Sequence, residues 1–398
     1  MAGDQKKKSR MAVLDVIRQS ESIARIDVAQ ETGISQATVT TITAEMLREG
    51  LIETVPSKDV PKDSQRGRPR VDLKLRGAAH IVAGIKLSHN SASIAIVDFE
   101  GTVVAECTPD LGQSVFEPSE LGDMLHATLS EVCETAGMTL SDLSAVGIGM
   151  AGVVDATRGF VYWSPLLNGP NIDLQTSLEA RLQMPVLVDN DANLVAMAEL
   201  YFGEGKGVSD FLVVTVESGV GMGVVIENKL YRGTRGCGGE FGHTKVQLDG
   251  ALCRCGQRGC LEAYVADYAL LREAFVVGDM VQGDKKVAEL LQAAREGDLK
   301  SKTIVTRASR MFAMGLANLI NIFDPELIIL AGERMQMDHL YAEEVIASVR
   351  DAIVKIDRPP PKVVIHKWGD LMWARGAAAF AIDAVADIAI ERLCENAD

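Results

Sequence analysis

Gly238-Gly239-Glu240-Phe241-Gly242-His243 is followed, ten positions after the histidine, by Cys253-Arg254-Cys255-Gly256-Gln257-Arg258-Gly259-Cys260-Leu261-Glu262. Three thiols and one imidazole in so short a span make the Cys3His donor set that structural zinc prefers, because the ion is tetrahedral and takes nitrogen and thiolate ligands. Gly256 and Gly259 allow the chain to curl around such an ion. Four protein ligands leave no open coordination position, so a metal here organises the loop rather than activating water. The expectation is about one structural Zn2+ per chain, held by His243, Cys253, Cys255 and Cys260. The other cysteines, Cys107, Cys133, Cys237 and Cys394, are scattered and read as ordinary thiols.

At 398 residues the chain exceeds one ordinary domain and predicts about two to three. Its 47% hydrophobic and 24% charged residues are those of a globular protein. No run of about 18 uncharged apolar residues could span a bilayer, so no membrane partner is expected. Lys6, Lys7, Lys8 and Arg10 are not followed by the apolar run of a secretion signal, and the expected compartment is the cytoplasm. Clustered thiols in a reducing compartment also favour metal over disulfides. The net charge of -15 argues against nucleic acid only until it is divided along the chain. Residues 1–80 hold 14 basic against 11 acidic side chains, net +3, and residues 81–398 hold 26 against 44, net -18. The N-terminal part can face phosphate; the remainder cannot.

That N-terminal part has the pattern of a DNA reader. From Arg10 to Gln19, the residues Val13, Leu14 and Ile17 share one helical face. A second helix begins near Arg25 with Val28 and Ala29 inward, and Gly33 ends it in the left-handed conformation of a tight turn. Ser35 then caps a third helix whose Val39, Ile42 and Met46 form a buried stripe. Ser35, Gln36, Thr38, Thr40 and Thr41 remain outward, short polar groups suited to base edges in the major groove. Beyond Gly50, Leu51-Ile52-Glu53-Thr54 and Val71-Asp72-Leu73-Lys74-Leu75 read as two strands of a wing. Its tip carries Arg66-Gly67-Arg68-Pro69-Arg70, in which Arg66, Arg68 and Arg70 suit a minor groove. A double-stranded DNA operator is the partner predicted for residues 1–78, a winged helix-turn-helix domain.

From about Ala79 the texture changes to apolar, β-rich runs: Ile81–Ile85, Ser93–Asp98, Ala145–Gly149, Val186–Asp189, Phe211–Val216 and Leu327–Gly332. Segments of helical period separate them, which indicates α/β lobes. Together with the thiol loop, Val188-Asp189-Asn190-Asp191-Ala192-Asn193, Leu316–Glu326 and Ala374-Arg375-Gly376-Ala377-Ala378 make residues 79–385 resemble the ROK family of sugar kinases and sugar-responsive repressors. The resemblance implies a two-lobed, actin-like ATPase fold of the ribonuclease H-like type. The smaller α/β lobe would cover 79–190, completed by a C-terminal helix at 375–398, and the larger lobe, with the zinc loop and sugar site, 191–374. It implies sugar contacts from Asn190, Asp191, Glu240, His243 and Glu262, with Asp191 at the position of the kinase base. Carboxylates and amides are the groups that read vicinal hydroxyls. Family members with a winged-helix head are regulators, so the expected partners are an operator, a sugar or sugar-derivative effector, and a second or further copies as a homodimer or homotetramer.

The kinase motifs themselves are altered. Kinases of this family open with Asp-X-Gly-Gly-Thr, where this chain has Lys86-Leu87-Ser88-His89-Asn90. Their second phosphate loop, Gly-Thr-Gly-Val-Gly-Gly-Gly, is here Glu217-Ser218-Gly219-Val220-Gly221-Met222-Gly223. A lysine replaces the metal-serving aspartate, and an acid stands beside the expected triphosphate. Ser164-Pro165-Leu166-Leu167-Asn168 also departs from the Pro-Asn-Leu of the kinases. The reading is a sugar-controlled transcription regulator, a repressor of sugar-metabolism genes without catalytic residues. Its rival is an active sugar kinase carrying a DNA-binding head.

Overall fold

The computed structural model describes residues 2–57, 71–89, 91–112, 115–277, 284–332, 343–366 and 371–395. The chain forms two compact units, Met1–Asp189 with Trp373–Asp398, and Asn190–Met372.

The first unit begins with α1 (Ala2–Gln19), which buries Val13, Leu14 and Ile17. Then α2 (Arg25–Thr32) stops at Gly33, whose φ of 68° is the left-handed turn that a side chain would disfavour. Ser35 caps α3 (Gln36–Arg48) by accepting from the Thr38 amide at 3.2 Å. Strand β1 (Ile52–Pro56) pairs antiparallel with β2 (Val71–Leu75), Ile52 opposite Leu75. Ile23 and Leu73 exchange backbone hydrogen bonds of 2.9 and 2.8 Å, tying the connection between α1 and α2 to the wing. Arg66, Arg68 and Arg70 lie outside the described residues.

There follow β3 (Ile81–Leu87), β4 (Ala92–Asp98), β5 (Val103–Cys107), α4 (Pro118–Thr135), β6 (Ala145–Met150), the small strands β7 (Val153–Asp155), β8 (Phe160–Trp163) and β9 (Ile172–Asp173), α5 (Leu174–Leu182) and β10 (Val186–Asn190). The main sheet runs β10-β6-β3-β4-β5. Within it β3 is antiparallel to β4 and parallel to β6, and β4 is antiparallel to β5. Leu121, Leu125 and Leu129 of α4, at helical spacing, share a core with Leu174, Leu178 and Leu182 of α5 and with Ile85, Ile94 and Ile148 of the sheet.

The second unit repeats that order. Its elements are α6 (Asp191–Phe202), β11 (Phe211–Val216), β12 (Val220–Ile226), β13 (Lys229–Leu230), α7 (Glu262–Val265), α8 (Asp267–Val277), α9 (Asp284–Arg295), α10 (Leu299–Phe323), β14 (Leu327–Ala331), α11 (Glu343–Ala352) and β15 (Lys362–Ile365). The sheet is β13-β12-β11-β14-β15, an antiparallel meander of its first three strands with β14 and β15 added parallel. Parallel strands need long crossovers, here supplied by the helices between β13 and β14 and by α11. In both sheets a strand order 3-2-1-4-5 results, the duplicated arrangement of an actin-like body. Finally α12 (Met372–Glu395) returns the chain to the first unit from Trp373 onward.

Candidate metal centre, acidic cluster and DNA-facing helix

The loop between β13 and α7 doubles back on itself, and backbone hydrogen bonds such as Val246 to Gly259 (2.9 Å), Leu261 to Thr244 (2.9 Å) and Cys253 to Gln257 (2.8 Å) hold it. Gly259, at φ 77°, passes so close to the Gln247 carbonyl that a Cβ would strike it, so glycine is required there. The fold thereby brings His243, Cys253, Cys255 and Cys260 together with all four ligand atoms within 4.8 Å of one another. His243 Nδ1 lies 3.6 Å from Cys253 Sγ, and Cys255 Sγ lies 3.7 Å from Cys260 Sγ. Zinc bonds of about 2.0–2.3 Å at tetrahedral angles give edges of about 3.6–3.8 Å, so the donor set fits such an ion in identity and in spacing. Cys253 and Cys260 are buried and Cys255 is exposed.

Around these donors lie side chains without a motif of their own. Lys245 Nζ reaches Cys260 Sγ at 3.0 Å, Gln257 Oε1 at 2.6 Å and the His243 carbonyl at 3.2 Å. The Tyr268 hydroxyl lies 3.5 Å from Cys253 Sγ and 3.2 Å from Glu262 Oε1. Burial is the main reason that the Tyr268 phenol is pushed well above its ordinary range. An ammonium beside a thiolate offsets its charge, so Lys245 suits the outer layer of a metal site. Neither residue is separable by sequence from an ordinary surface lysine or core tyrosine.

The acidic group adjoins the metal ligands. Glu262 opens α7, is buried, and accepts from the Val220 amide at 3.4 Å. Glu240 Oε2 stands 3.9 Å from His243 Nε2, so the imidazole turns Nδ1 to the thiols and Nε2 to the carboxylate. The Glu240 carboxyl is raised above its usual range chiefly by burial; nearby His243 opposes this, and the Glu262 and Asp191 carboxylates add to it. Its side chain is 47% exposed, so solvent softens the effect. Asn190 and Asp191 lie where β10 passes into α6, and Asn190 caps that helix, Oδ1 accepting from the Ala192 amide at 2.9 Å. Asp191, Glu262 and His243 thus all stand within electrostatic range of Glu240 in the second unit. Helix α6 reaches this position because Gly221 and Gly223 of β12 leave room for Ala192 and Ala196; a Cβ at either glycine would collide with them.

The two altered phosphate motifs begin at the ends of the first strands of the two sheets, Lys86 within β3 and Glu217 directly after β11. In the first unit Lys86, on β3, is only 5% exposed and its Nζ sits 3.7 Å from the centre of the Trp373 ring, a cation–π contact. In the second unit, Glu217 and Gly219 close the tight turn between β11 and β12, with the Glu217 amide donating to the Gly219 carbonyl at 2.8 Å. That amide is therefore already committed within the turn.

In the head, Gln36, Thr38, Thr40 and Thr41 are exposed on α3, and Ser35 at its cap is exposed too. Their hydroxyls engage locally: Ser35 with Thr38 at 2.8 Å, Thr40 with the Gln36 carbonyl at 2.7 Å, Thr41 with the Ala37 carbonyl at 3.2 Å. Gln36 carries the longest polar side chain of the first turn and is exposed. Arg10 fixes the helix from behind, its Nη2 bonding Glu45 at 2.7 Å.

A helix-turn-helix head with a two-stranded wing, carried on two sheets of the same strand order, defines the class: a kinase-type body fitted for DNA. The chain belongs to the ROK family, whose model matches residues 82–384. It is 30% identical over 351 residues to the xylose repressor of Caldicellulosiruptor bescii, covering 84% of this chain and 86% of that protein. A ROK family transcriptional regulator described as a homologue of the E. coli Mlc protein shares the fold over 98% of both chains, with a TM-score of 0.81 and 24% identity. The ROK hexokinase of Thermus thermophilus matches 75% of this chain and 97% of its own, at 28% identity and a TM-score of 0.66. Among the described residues, no helix is long and apolar enough to cross a membrane.

Proposed function

We propose that this protein is a DNA-binding transcription regulator of sugar-metabolism genes, a repressor controlled by a sugar or sugar derivative bound in a kinase-derived site. Asn190, Asp191, Glu240, His243 and Glu262 would read the effector's hydroxyls. One structural zinc held by His243, Cys253, Cys255 and Cys260 would fix the loop that carries Glu240, and α7 with Glu262 directly after it. Gln36, Thr38 and their neighbours on α3 would read the major groove, with Ser35 as cap and Arg66, Arg68 and Arg70 of the wing in the minor groove. A dimer or tetramer would set two heads on paired half-sites one helical turn, about 34 Å, apart.

The observation that carries the reading is a divergence within one body. Glu240 keeps His243, Glu262 and Asp191 within electrostatic range, while a buried Lys86 on β3 and Glu217 in the β11–β12 turn replace the residues with which a kinase would hold phosphate. A repressor is also what the C. bescii relative is named. The test has two arms. A thermal-shift panel of sugars and sugar phosphates identifies the effector, since a ligand selective for the native state raises apparent stability. The best ligand must then alter operator affinity at fixed salt. Asp191 at the head of α6 favours a second reading, an active sugar kinase with a DNA-binding head. Sugar phosphate formed from ATP and magnesium at an ordinary enzymatic rate, and abolished by Asp191→Asn, would establish that reading instead.

A further inference from the structure

Cys253 Sγ and Glu262 Oε1 lie 3.5 Å apart, and in a metal-free loop the thiol itself donates to the carboxylate. Metal binding takes that proton, because the thiolate is the ligand form. The contact then becomes one between two anions in a buried setting, and without another donor Glu262 would be repelled from its position. The Tyr268 hydroxyl reaches both atoms, at 3.5 Å from the sulfur and 3.2 Å from Glu262 Oε1. It is also aimed. The Arg254 peptide N–H, inside the ligand loop, donates to the phenol oxygen at 3.4 Å and so turns the O–H away from itself, toward the two acceptors. The ring is held by the Arg254 guanidinium, 4.0 Å above it, and by Arg272 at 5.8 Å. Arg272 in turn donates to the carbonyls of Leu252 (2.6 Å) and Ala263 (2.9 Å), fastening the ligand loop to the helix that carries Glu262.

We propose that Tyr268 is a positioning residue of the effector site, its hydroxyl shared between the metal-bound sulfur of Cys253 and the carboxylate of Glu262. A bound metal would then do more than fold the loop, because Tyr268, sharing its hydroxyl with the ligating sulfur, would fix the orientation of Glu262, whose other oxygen accepts from the Val220 amide at 3.4 Å. This rests on the reading of Glu262 as a sugar contact. An isolated metal knuckle would gain nothing from a phenol whose second partner is a carboxylate outside the ligand set.

The experiment uses the full-length chain loaded with cobalt(II) in place of zinc, compared as wild type, Tyr268→Phe and Glu262→Gln. Tyr268→Phe should keep about one metal per chain. It should also move the sulfur-to-cobalt charge-transfer band to longer wavelength, because a thiolate that loses an O–H···S bond is the stronger donor. Its affinity for the effector found in the panel should fall about tenfold, the effect of one hydrogen bond to a charged group. Glu262→Gln breaks the bridge from the other end and should move the band to shorter wavelength, since the phenol proton then goes wholly to sulfur. A band unmoved in both variants overturns the bridge, and a moved band with unchanged sugar affinity overturns the positioning role. Wild-type protein that binds no member of the panel is the separate failure of the sugar-sensor reading, and it takes the positioning role with it while the band still decides the bridge.

Discussion

The two units share one strand order and put it to different work. The second gathers thiols, imidazole and carboxylates beside its sheet, with ligand atoms within 4.8 Å of one another. The first places a buried lysine under Trp373 on its leading strand and spends its charge on holding the head. Lys7 of α1 bonds Asp387 at 3.0 Å and Glu391 at 2.6 Å, and Arg18 bonds Asp383 at 2.7 Å, so one acidic stripe of α12 receives the basic side of α1. The Cys3His donor set lies in the second unit, and the ion pairs that fasten α1 to α12 lie in the first. Changes confined to one unit should therefore separate effector reading from DNA reading.

The largest separation is expected at the metal. Cys260→Ser should remove the ion, and with it a contribution that reaches about 10–16 kcal/mol in isolated zinc-binding peptides. The loop of Glu240 and the seat of Glu262 would lose their anchor, so effector response should vanish while operator binding without effector persists. Metal analysis and an operator mobility assay on the same preparation check this. A metal-free protein with full sugar response would break the comparison at its centre.

Next in size is the head. Operator affinity should fall steeply with salt, by a power near 0.9 per phosphate neutralised, and vanish on deletion of residues 1–78. Gln36→Ala should cost about 1–3 kcal/mol of discrimination at one base pair, whereas Arg68→Ala should weaken binding chiefly at A·T-rich minor grooves. Neither change should alter sugar affinity. Operator titrations at several salt concentrations, alongside the thermal-shift panel, measure both.

Asp191→Asn probes the second unit from its acidic side. Replacing a charged acceptor by a mixed donor and acceptor should weaken the effector by about 1.5–3 kcal/mol, roughly 10- to 150-fold, with metal content unchanged. The wild type should consume no ATP in response to sugar above background. A calorimetric titration and mass detection of sugar phosphate measure the two outcomes and sharpen the contrast between the proposed sugar site and the altered phosphate motifs.

What the sequence made legible was local. Gly33 with Ser35 marks the elbow because turn and cap need only neighbours, and the Cys3His spacing marks the ligand loop because its members lie within 18 positions. Apolar runs announced β3 and β4 but not their register, Ile81 opposite Asp98, nor the repeated strand order, since periodicity fixes a face and not a partner. Lys86 reads as a lost aspartate; that it is buried under Trp373, 287 positions later, depends on tertiary packing. The α1 to α12 pairs span 365 to 384 positions, and Tyr268 falls at no motif offset. The acidic group needed the family resemblance, because a lone Asp or Glu is ordinarily a solvated charge.

The smallest effect belongs to His80, in the link between wing and first sheet. Its Nδ1 lies 3.0 Å from Ser144 Oγ and its ring meets Phe99 edge-on at 5.3 Å, with the Phe99 amide donating to the Gly77 carbonyl at 3.0 Å. Burial lowers the imidazole's affinity for a proton, and the Arg392 charge lowers it further. The sign follows from linkage. In the unfolded chain His80 takes up its proton near pH 6.5, whereas the folded chain resists it, so stability is complete above that pH and declines as pH falls toward the lower, folded value. The slope cannot exceed about 1.4 kcal/mol per pH unit for one proton. His80→Gln should flatten the fall in melting temperature between pH 7.5 and 5.5 by that contribution, and leave metal content and sugar affinity at neutral pH untouched. Identical pH profiles for variant and wild type would mean that the link carries no titrating load. A change in sugar affinity instead would mean that the two units are less separable in function than their chemistry suggests.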